Sequence, residues 1–154
     1  MLTQTADHAL RALLAIARHG DGGSLRVEQV AEFTGAPRNY LGKTLGALVR
    51  AGLLRSSRGP TGGFSLAVPL DEISVSRIVD LFREPRAERR CLLGDGPCNA
   101  ARPCSAHHRW TAMTNAARAP LDRTTLADLL GASDIPRLPA AGMAASFAGA
   151  AGSF

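Results

Sequence analysis

The three cysteines of this chain, Cys91, Cys98 and Cys104, lie within one short segment, and His107 and His108 follow directly after it. Structural zinc sites usually place thiolates two to four residues apart, so gaps of six and five residues suit a single zinc ion poorly. Glycines and prolines between the cysteines leave the backbone free to wrap around a wider group. An iron–sulfur cluster takes about four ligands, mostly thiolates. A cluster, a zinc ion, a thiol redox switch and no role at all are the open interpretations.

The charge of the chain indicates a partner with phosphates. The 154 residues carry a net charge of +5, and 17 of the 18 basic residues are arginine. Residues 1–70 carry eight basic and four acidic side chains, whereas residues 71–154 carry ten and nine. Arginine binds phosphate and guanine in a planar, bidentate way, so nucleic acid is a plausible partner for the first half.

The distribution of apolar residues indicates no association with a membrane. No segment approaches the roughly 18 apolar residues that span a bilayer. The N-terminus lacks a basic region followed by a continuous apolar run, so we expect no signal peptide. A cytoplasmic location is predicted, where thiols stay reduced.

Three amphipathic helices are predicted in the N-terminal third. Apolar residues recur at helical spacing over 3–19, and a second helix covers 26–34. After the turn "GAP" at 35–37, whose proline suits the first helical position, a third helix runs over 38–51 and stops at Gly52. Its inward face carries Leu41, Leu45, Leu48 and Val49, and its outer face carries Asn39, Lys43, Gly46 and Arg50. This pattern is typical of a helix-turn-helix motif, with a plain three-helix core as the alternative.

A β-hairpin after the third helix favours DNA binding. Two β-prone runs, "LLRSS" at 53–57 and "FSLAV" at 64–68, flank the glycine-rich tip "RGPTGG" at 58–63. A helix-turn-helix followed by a hairpin is a winged helix, whose tip suits a phosphate or a narrow minor groove. The predicted DNA-contacting residues are Arg38, Asn39, Tyr40, Lys43, Arg58, Gly59, Gly62 and Gly63.

The C-terminal half is predicted to contain three more helices. They cover 71–82 with a cap near Ser74, 105–119 with a serine N-cap, and 122–130 with a threonine cap. The fold class is therefore mainly α with a small β-hairpin wing, a winged helix-turn-helix plus a long helix, to which the family resemblance described below assigns dimerisation. The predicted units are a DNA-binding domain (1–84), a cysteine loop (85–104), the long helix with a short terminal helix (105–132) and a flexible Ala/Gly-rich tail (133–154).

The order of these parts resembles a known family. The segments "ALRALLAIA" and "RNYLGKTLGALVRAGLLRSSRGPTGGFSLAVPLDEISVSRIVD", then the three cysteines and "TLADLL", resemble the Rrf-type family of bacterial transcription regulators over residues 1–132. The resemblance implies a homodimer clasped by the long helix, with paired winged helices on a palindromic, double-stranded DNA operator. It also implies a repressor whose cysteine loop holds an iron–sulfur cluster that senses nitric oxide, redox or iron–sulfur status.

The resemblance leaves the fourth cluster ligand open. His107 matches the position at which 2Fe–2S members of the family supply a histidine. Asp7, in the segment "TAD", matches the position at which 4Fe–4S members supply a carboxylate from the other subunit, and that match favours Asp7 slightly. His8 and His108 are neighbours that stay possible. Without a cluster, Asp7 is a helix N-terminal acid favoured by the helix dipole, and the histidines mark an exposed helix start.

Two rival functions use the same residues differently. An enzyme is disfavoured because none of the four histidines belongs to a recognisable catalytic motif, and an electron carrier needs neither a recognition helix nor a wing. The same DNA-binding fold with a thiol redox switch and no cluster is the alternative within the regulator class. The predicted function is a sequence-specific DNA-binding regulator controlled by an iron–sulfur cluster.

Overall fold

The structure, a computed structural model, describes residues 3–20, 23–60, 62–83, 91–94, 96–97 and 99–132. Its elements in these ranges are helices joined by loops and one antiparallel hairpin. They are α1 (Gln4–His19), α2 (Val27–Thr34), α3 (Arg38–Arg50), β1 (Leu54–Ser57), β2 (Gly63–Leu66), a 3-10 turn (Leu70–Glu72), α4 (Val75–Leu81), α5 (His107–Arg123) and α6 (Leu126–Ala132). The prediction of a mainly helical winged fold is confirmed.

Helix α1 is the centre of the winged half. The Thr3 hydroxyl accepts a hydrogen bond from the Ala6 N–H at 3.1 Å and so caps the first turn. Arg18 and His19 lie in the last turn, where positive charge suits the helix dipole. One face of α1 is fully buried and contacts α2, α3, α4, β2 and α6. Because five elements pack against α1, this helix forms the centre of the core of the winged half.

Two left-handed glycines set the helix-turn-helix geometry. Gly35, at φ 72°, ends α2, and Gly52, also at φ 72°, follows α3. This backbone region is strained for other residues, so the sequence "TGAP" makes a tight turn. Pro37 is the N-cap of α3 rather than its first helical residue, which corrects the predicted position by one. The predicted inward leucines of α3 are completely buried: Leu41, Leu45 and Leu48.

The hairpin pairs Leu54 with Leu66 and Ser57 with Gly63 in antiparallel register. Leu25 extends it with a single bridge, since the Leu25 and Phe64 N–H groups each donate to the other's carbonyl at 2.9 and 2.8 Å. A Cβ on Gly63 would lie 2.6 Å from the Leu25 carbonyl oxygen. Only glycine allows this approach, which ties the wing to the segment before α2.

The C-terminal helices differ from the prediction at their ends. Ser74 caps α4 as predicted, its hydroxyl accepting from the Arg77 N–H at 3.3 Å. The predicted serine cap of the long helix is wrong, because α5 begins at His107 after Ala106, which makes no side-chain cap hydrogen bond. The helix also continues past Pro120 to Arg123 instead of ending at 119. Its last turn is held by the docking of the following residues.

The junction of α5 and α6 docks onto the winged half. The Val75 N–H donates to the Thr124 carbonyl and the Leu126 N–H donates to the Ile73 carbonyl, both at 2.9 Å. The Leu126 side chain is completely buried in the core with Ile73. Thr125 supplies the predicted threonine cap of α6 together with Asp128: the Asp128 N–H donates to the Thr125 hydroxyl at 3.2 Å. Tertiary contacts thus place this boundary four residues later than the sequence pattern does.

A second connection joins α5 to α4. The Arg118 guanidinium donates in bidentate fashion to the Asp80 carboxylate, with one distance of 2.9 Å. The Arg118 side chain also lies 3.5 Å from Asp122, one turn along α5. This pairing lowers the pKa of Asp80 below its ordinary value, first through the hydrogen bond from Arg118.

Some predictions fall outside the described residues. These include the tail at 133–154 and, within the predicted cysteine loop, residues 85–90, 95 and 98. Among the helices that are described, none has both the length and the apolar character needed to cross a membrane.

Candidate nucleic-acid interface and cysteine site

The outer face of α3 and the hairpin border one shallow groove. Its lining residues are Val27, Arg38, Asn39, Gly42, Lys43 and Phe64. Arg38, Asn39 and Lys43 are exposed there, as their positions on the helix predict. Gly42 adds no side chain, so the groove floor stays open between them. The arrangement offers one amide and two cationic side chains along a helix face, which suits contacts to base edges and phosphates.

Tyr40 lies elsewhere, between α3 and α1. Its hydroxyl hydrogen-bonds the Thr5 hydroxyl, and its ring meets the His8 ring edge-on with centroids 5.0 Å apart. His8 is 5 % exposed, and its Nδ1 has no hydrogen-bond partner among the described residues. Burial lowers the pKa of His8, against the opposing charge of Asp7. Tyr40 was predicted to contact DNA, and the structure places it at the α1–α3 contact instead of on the groove.

The hairpin tip is exposed and shaped by its glycines. Arg58 and Gly59 are exposed, and Gly59 has φ 107°. The Gly62 N–H donates to the Gly59 carbonyl at 3.0 Å and closes the tip. A Cβ on Gly62 would lie 2.5 Å from the Ser57 carbonyl oxygen, so this position also needs glycine. The predicted wing residues Arg58, Gly59, Gly62 and Gly63 therefore share one protruding end.

Two residues that the sequence analysis missed connect the tip, α2 and α3. The Arg26 guanidinium donates to the Pro60 carbonyl of the tip. The Glu28 carboxylate pairs with the Arg38 guanidinium. The pKa of Glu28 is lowered first by a hydrogen bond from its own backbone N–H and further by the charges of Arg38 and Arg26. Glu28 and Arg38 are ten residues apart across a turn, a separation with no sequence signal.

The cysteine segment brings two of the three predicted thiols together. The Sγ atoms of Cys91 and Cys104 lie 3.5 Å apart, and both residues are half-buried. The Cys91 N–H donates to the Gly96 carbonyl at 3.0 Å, which closes the loop between them. Cys98 lies outside the described residues. The two sulfurs are close enough to bind the same metal atom or to react with each other.

The candidate fourth ligands occupy different elements. The His107 N–H donates to the Cys104 carbonyl at 3.0 Å, so His107 opens α5 directly beside that cysteine. The His108 ring lies edge-on to the His107 ring, with the ring centroids 5.5 Å apart. Asp7 lies on α1, where its carboxylate accepts from the Arg11 side chain at 3.0 and 3.1 Å. In the described ranges, no three His, Cys, Asp or Glu side chains form a set that could hold a metal ion.

Comparisons with known proteins agree with the fold. The family model for Rrf2, described as iron-dependent transcriptional regulator, matches residues 2–132. A putative HTH-type transcriptional regulator of Aquifex aeolicus (strain VF5) is 33% identical over 132 residues, covering 84% of this chain and 91% of the relative. The HTH-type transcriptional regulator IscR of Aliivibrio salmonicida is 28% identical over 137 residues, 89% of this chain and 81% of the relative.

A solved structure gives the same result in three dimensions. The oxidized form of Staphylococcus aureus CymR has a TM-score of 0.67 and 29% identity, covering 88% of this chain and 99% of that one. The relatives are transcriptional regulators and not enzymes, as predicted. A model match over most of the chain and a relative one-third identical along nearly its whole length carry the assignment: this chain belongs to the Rrf2 family of transcriptional regulators.

Proposed function

We propose that the chain is a sequence-specific DNA-binding repressor whose operator affinity is controlled by an iron–sulfur cluster. The cluster would be held by Cys91, Cys98 and Cys104, with Asp7 of the other subunit or His107 as fourth ligand. The observation that carries the proposal is the 3.5 Å separation of the Cys91 and Cys104 sulfurs in one half-buried site. The 28% identity to IscR of Aliivibrio salmonicida supports it.

The distance between the sulfurs fits two thiolates on the same metal atom, as at one iron of a 2Fe–2S cluster. Two thiolates about 2.3 Å from one metal in tetrahedral geometry lie roughly 3.8 Å apart. A disulfide requires about 2.0 Å, so the sulfurs are not bonded to each other. Thiolates are the donors that iron–sulfur clusters take, and three of them in one segment supply most of a ligand set.

The residues around the site link it to DNA. A bound cluster supplies redox and ligand-exchange chemistry at the cysteines. Cys104 lies three residues before the start of α5, the Arg118 side chain on α5 pairs with Asp80, and the Leu126 side chain beyond α5 is buried in the winged core. A change in how the cysteines are held can therefore shift α5 against α4. Such a shift would change the spacing of the two winged heads in a dimer. A loss of a few kcal/mol of differential affinity is enough to release the protein from an operator.

Dimerisation is proposed through α5. Within the described chain, α5 buries none of its side chains completely, and Met113 on it is 58% exposed. A long helix that packs on α4 along one side and has no fully buried residue leaves surface that a second copy could cover. In such a dimer, Asp7 of one subunit could complete the cysteine site of the other.

The DNA contacts are proposed on two elements. Asn39 and Lys43 on α3 would face the major groove, together with Arg38. Arg58 and the tip glycines would follow the phosphates or the minor groove. Tyr40 would influence DNA binding indirectly, by fixing the position of α3, because its hydroxyl is hydrogen-bonded to Thr5.

A thiol redox switch is the second candidate, favoured by the same pair of sulfurs. Oxidation of Cys91 and Cys104 by a peroxide or disulfide oxidant would remove two protons and two electrons and form one S–S bond. The sulfurs would need to approach by roughly 1.5 Å from their present separation. A related solved structure is described as the oxidized form of CymR.

Colour separates the two candidates. Protein purified without oxygen is expected to absorb in the visible range and to carry iron and sulfide by native mass spectrometry. Cys91→Ser, Cys98→Ser and Cys104→Ser should each lose this absorption, because one of about four ligands is gone. Colourless protein that binds neither iron nor sulfide after anaerobic reconstitution, but forms a Cys91–Cys104 disulfide with peroxide, would establish the thiol switch instead.

The fourth ligand is tested by a matched pair of substitutions. Loss or a marked shift of the absorption in Asp7→Ala, with His107→Ala silent, would place Asp7 at the cluster, and the reverse would place His107 there. Because Asp7→Ala also breaks the pair with Arg11, Arg11→Ala is the control. Arg11→Ala removes the ion pair but keeps the carboxylate, so it should retain the cluster.

A further inference from the structure

Three charged side chains lie between the hairpin tip and the start of α3. Arg26, before α2, donates to the Pro60 carbonyl at the tip. Glu28, in the first turn of α2, pairs with Arg38 at the start of α3. Glu28 lies close enough to both arginines for each to act on its charge. An acidic side chain thus stands between two cations that border the proposed DNA surface.

Folding stability does not account for this arrangement. The side chains of Arg38 and Glu28 are 62% and 49% exposed. Ion pairs at such exposure contribute little to stability, since water and salt screen them. A carboxylate beside the groove also repels DNA phosphates and so opposes binding. A residue that adds little to stability and weakens attraction to every phosphate has its main effect on the choice among DNA sequences.

We propose that Glu28 is a specificity-determining residue, which holds Arg38 toward the groove beside Asn39 and keeps both flanking arginines from binding phosphates indiscriminately. The inference rests on the proposed DNA surface of α3 and the wing. It assigns a role to Glu28 and Arg26, which lie outside the predicted set of DNA contacts.

The physical basis is a difference between two kinds of DNA. Phosphate contacts are the same on any duplex and release counterions whatever the sequence, whereas base contacts depend on side-chain position. Pairing with Glu28 lowers the charge that Arg38 offers to an arbitrary phosphate. On the operator, the fixed position of Arg38 compensates for that loss. Repulsion that acts more on wrong partners than on the right one is a general source of specificity.

The test compares Glu28→Gln with Glu32→Gln in the full-length protein. Glu32 is an exposed acid one turn further along α2, so both variants gain the same charge. The probes are a duplex that the wild-type protein enriches from a randomised pool and a scrambled duplex of equal composition. Affinity is measured by fluorescence anisotropy over a salt series, and circular dichroism melting confirms that both variants fold.

Glu28→Gln is expected to bind the scrambled duplex roughly fivefold more tightly at 0.1 M salt, and the operator duplex less than about twofold more tightly. The affinity of this variant for scrambled DNA should depend more steeply on salt, by the equivalent of about one to two phosphate contacts, because the released arginines reach phosphates. Glu32→Gln should shift both affinities equally and only slightly. The operator preference therefore falls in the first variant and is kept in the second.

If these results do not appear, Lys43→Ala shows whether the role of Glu28 or the proposed DNA surface itself is wrong. Equal behaviour of Glu28→Gln and Glu32→Gln, with Lys43→Ala weakening binding to both duplexes, would overturn the role of Glu28 while leaving the DNA surface in place. No effect of Lys43→Ala, or no enrichment of any sequence from the pool, would overturn the DNA surface and this inference together.

Discussion

The winged half and the cysteine-bearing half of this protein are held in different ways. In the winged half, the alanine- and leucine-rich face of α1 and the leucine face of α3 are buried in one core, including Leu13, Leu41 and Leu45 at 0% exposure. In the other half, the loop exposes Leu92 and Leu93, and α5 buries none of its described side chains completely. The first half needs nothing beyond the protomer to position its groove. The second has surface that the protomer alone does not cover.

This contrast separates the part of the protein where a bound group or an oxidant could act from the part where DNA could be recognised. Elements with few buried contacts open and rearrange at low free energy, whereas packed cores hold one arrangement. Cys91 and Cys104 lie on the loosely held side, and the side chains proposed to contact DNA lie on the packed side. Among the described residues, Leu126 with the backbone hydrogen bonds around it and the Arg118–Asp80 pair link the two sides.

The largest effect is expected at the buried link. Leu126→Ala should lower the free energy of unfolding by about 2–5 kcal/mol, because it leaves a cavity in the winged core. Urea unfolding followed by circular dichroism measures this. Leu93→Ala, at a position 65% exposed in the cysteine loop, is the control and should change the stability by less than about 0.5 kcal/mol. Similar losses in both variants would erase the distinction between the two halves.

The rigid side can be tested through base recognition. Asn39→Ala should reduce discrimination between the operator and single-base variants by about 1–3 kcal/mol, since it removes a proposed contact to a base edge. Competition gel shifts with a panel of variant duplexes measure it. Gly46→Ala, on the same helix but with open space near its Cβ apart from Arg50 at 3.5 Å, is a control that should keep the base preference.

The wing should affect strength without affecting choice. Arg58→Ala is expected to weaken binding to operator and scrambled duplexes alike, and to make the salt dependence shallower by about one contact. The reason is that an exposed arginine at a glycine-rich tip reaches phosphates or the minor groove rather than a unique base pattern. A change in base preference with no change in salt dependence would contradict this assignment.

The smallest effect is expected at the exposed link. Asp80→Asn should cost at most about 1 kcal/mol at pH 7, because the Asp80 and Arg118 side chains are 42% and 40% exposed and solvent screens the pair. The pKa of Asp80 is lowered in the folded state, so its contribution is present above the ordinary value of 3.8 and disappears as the pH falls through the folded pKa.

Urea titrations at pH 7 and pH 3 should therefore show a gap between wild type and Asp80→Asn that narrows in acid. Asp122→Asn is the matched control, since Asp122 lies 3.5 Å from the same arginine without the bidentate geometry. It should change the stability less than Asp80→Asn at pH 7. A gap that widens in acid would contradict the assigned sign.

Much of the fold followed from local patterns. The spacing of leucines in α3, the glycines after α2 and α3, and the caps at Ser74 and Thr125 each act over a few residues, and each is present in the structure. Predictions were wrong where distant contacts decide. The α5–α6 boundary depends on two hydrogen bonds to residues some fifty positions away: the Thr124 carbonyl accepts from the Val75 N–H, and the Leu126 N–H donates to the Ile73 carbonyl, so Pro120 does not end α5.

The sequence by itself determined the residue types that do chemistry: the thiols, the basic face of α3 and the glycine-rich tip. It also determined their elements, because helical period and turn chemistry are local properties. Only the tertiary structure decided which side chains meet. It turned Tyr40 toward Thr5 and His8, joined Glu28 to Arg38 and Arg26 to the tip, and brought Cys91 to Cys104. Such pairings depend on how α1, α2 and the wing pack, and periodicity along one segment carries no information about the side chain that will face it from another.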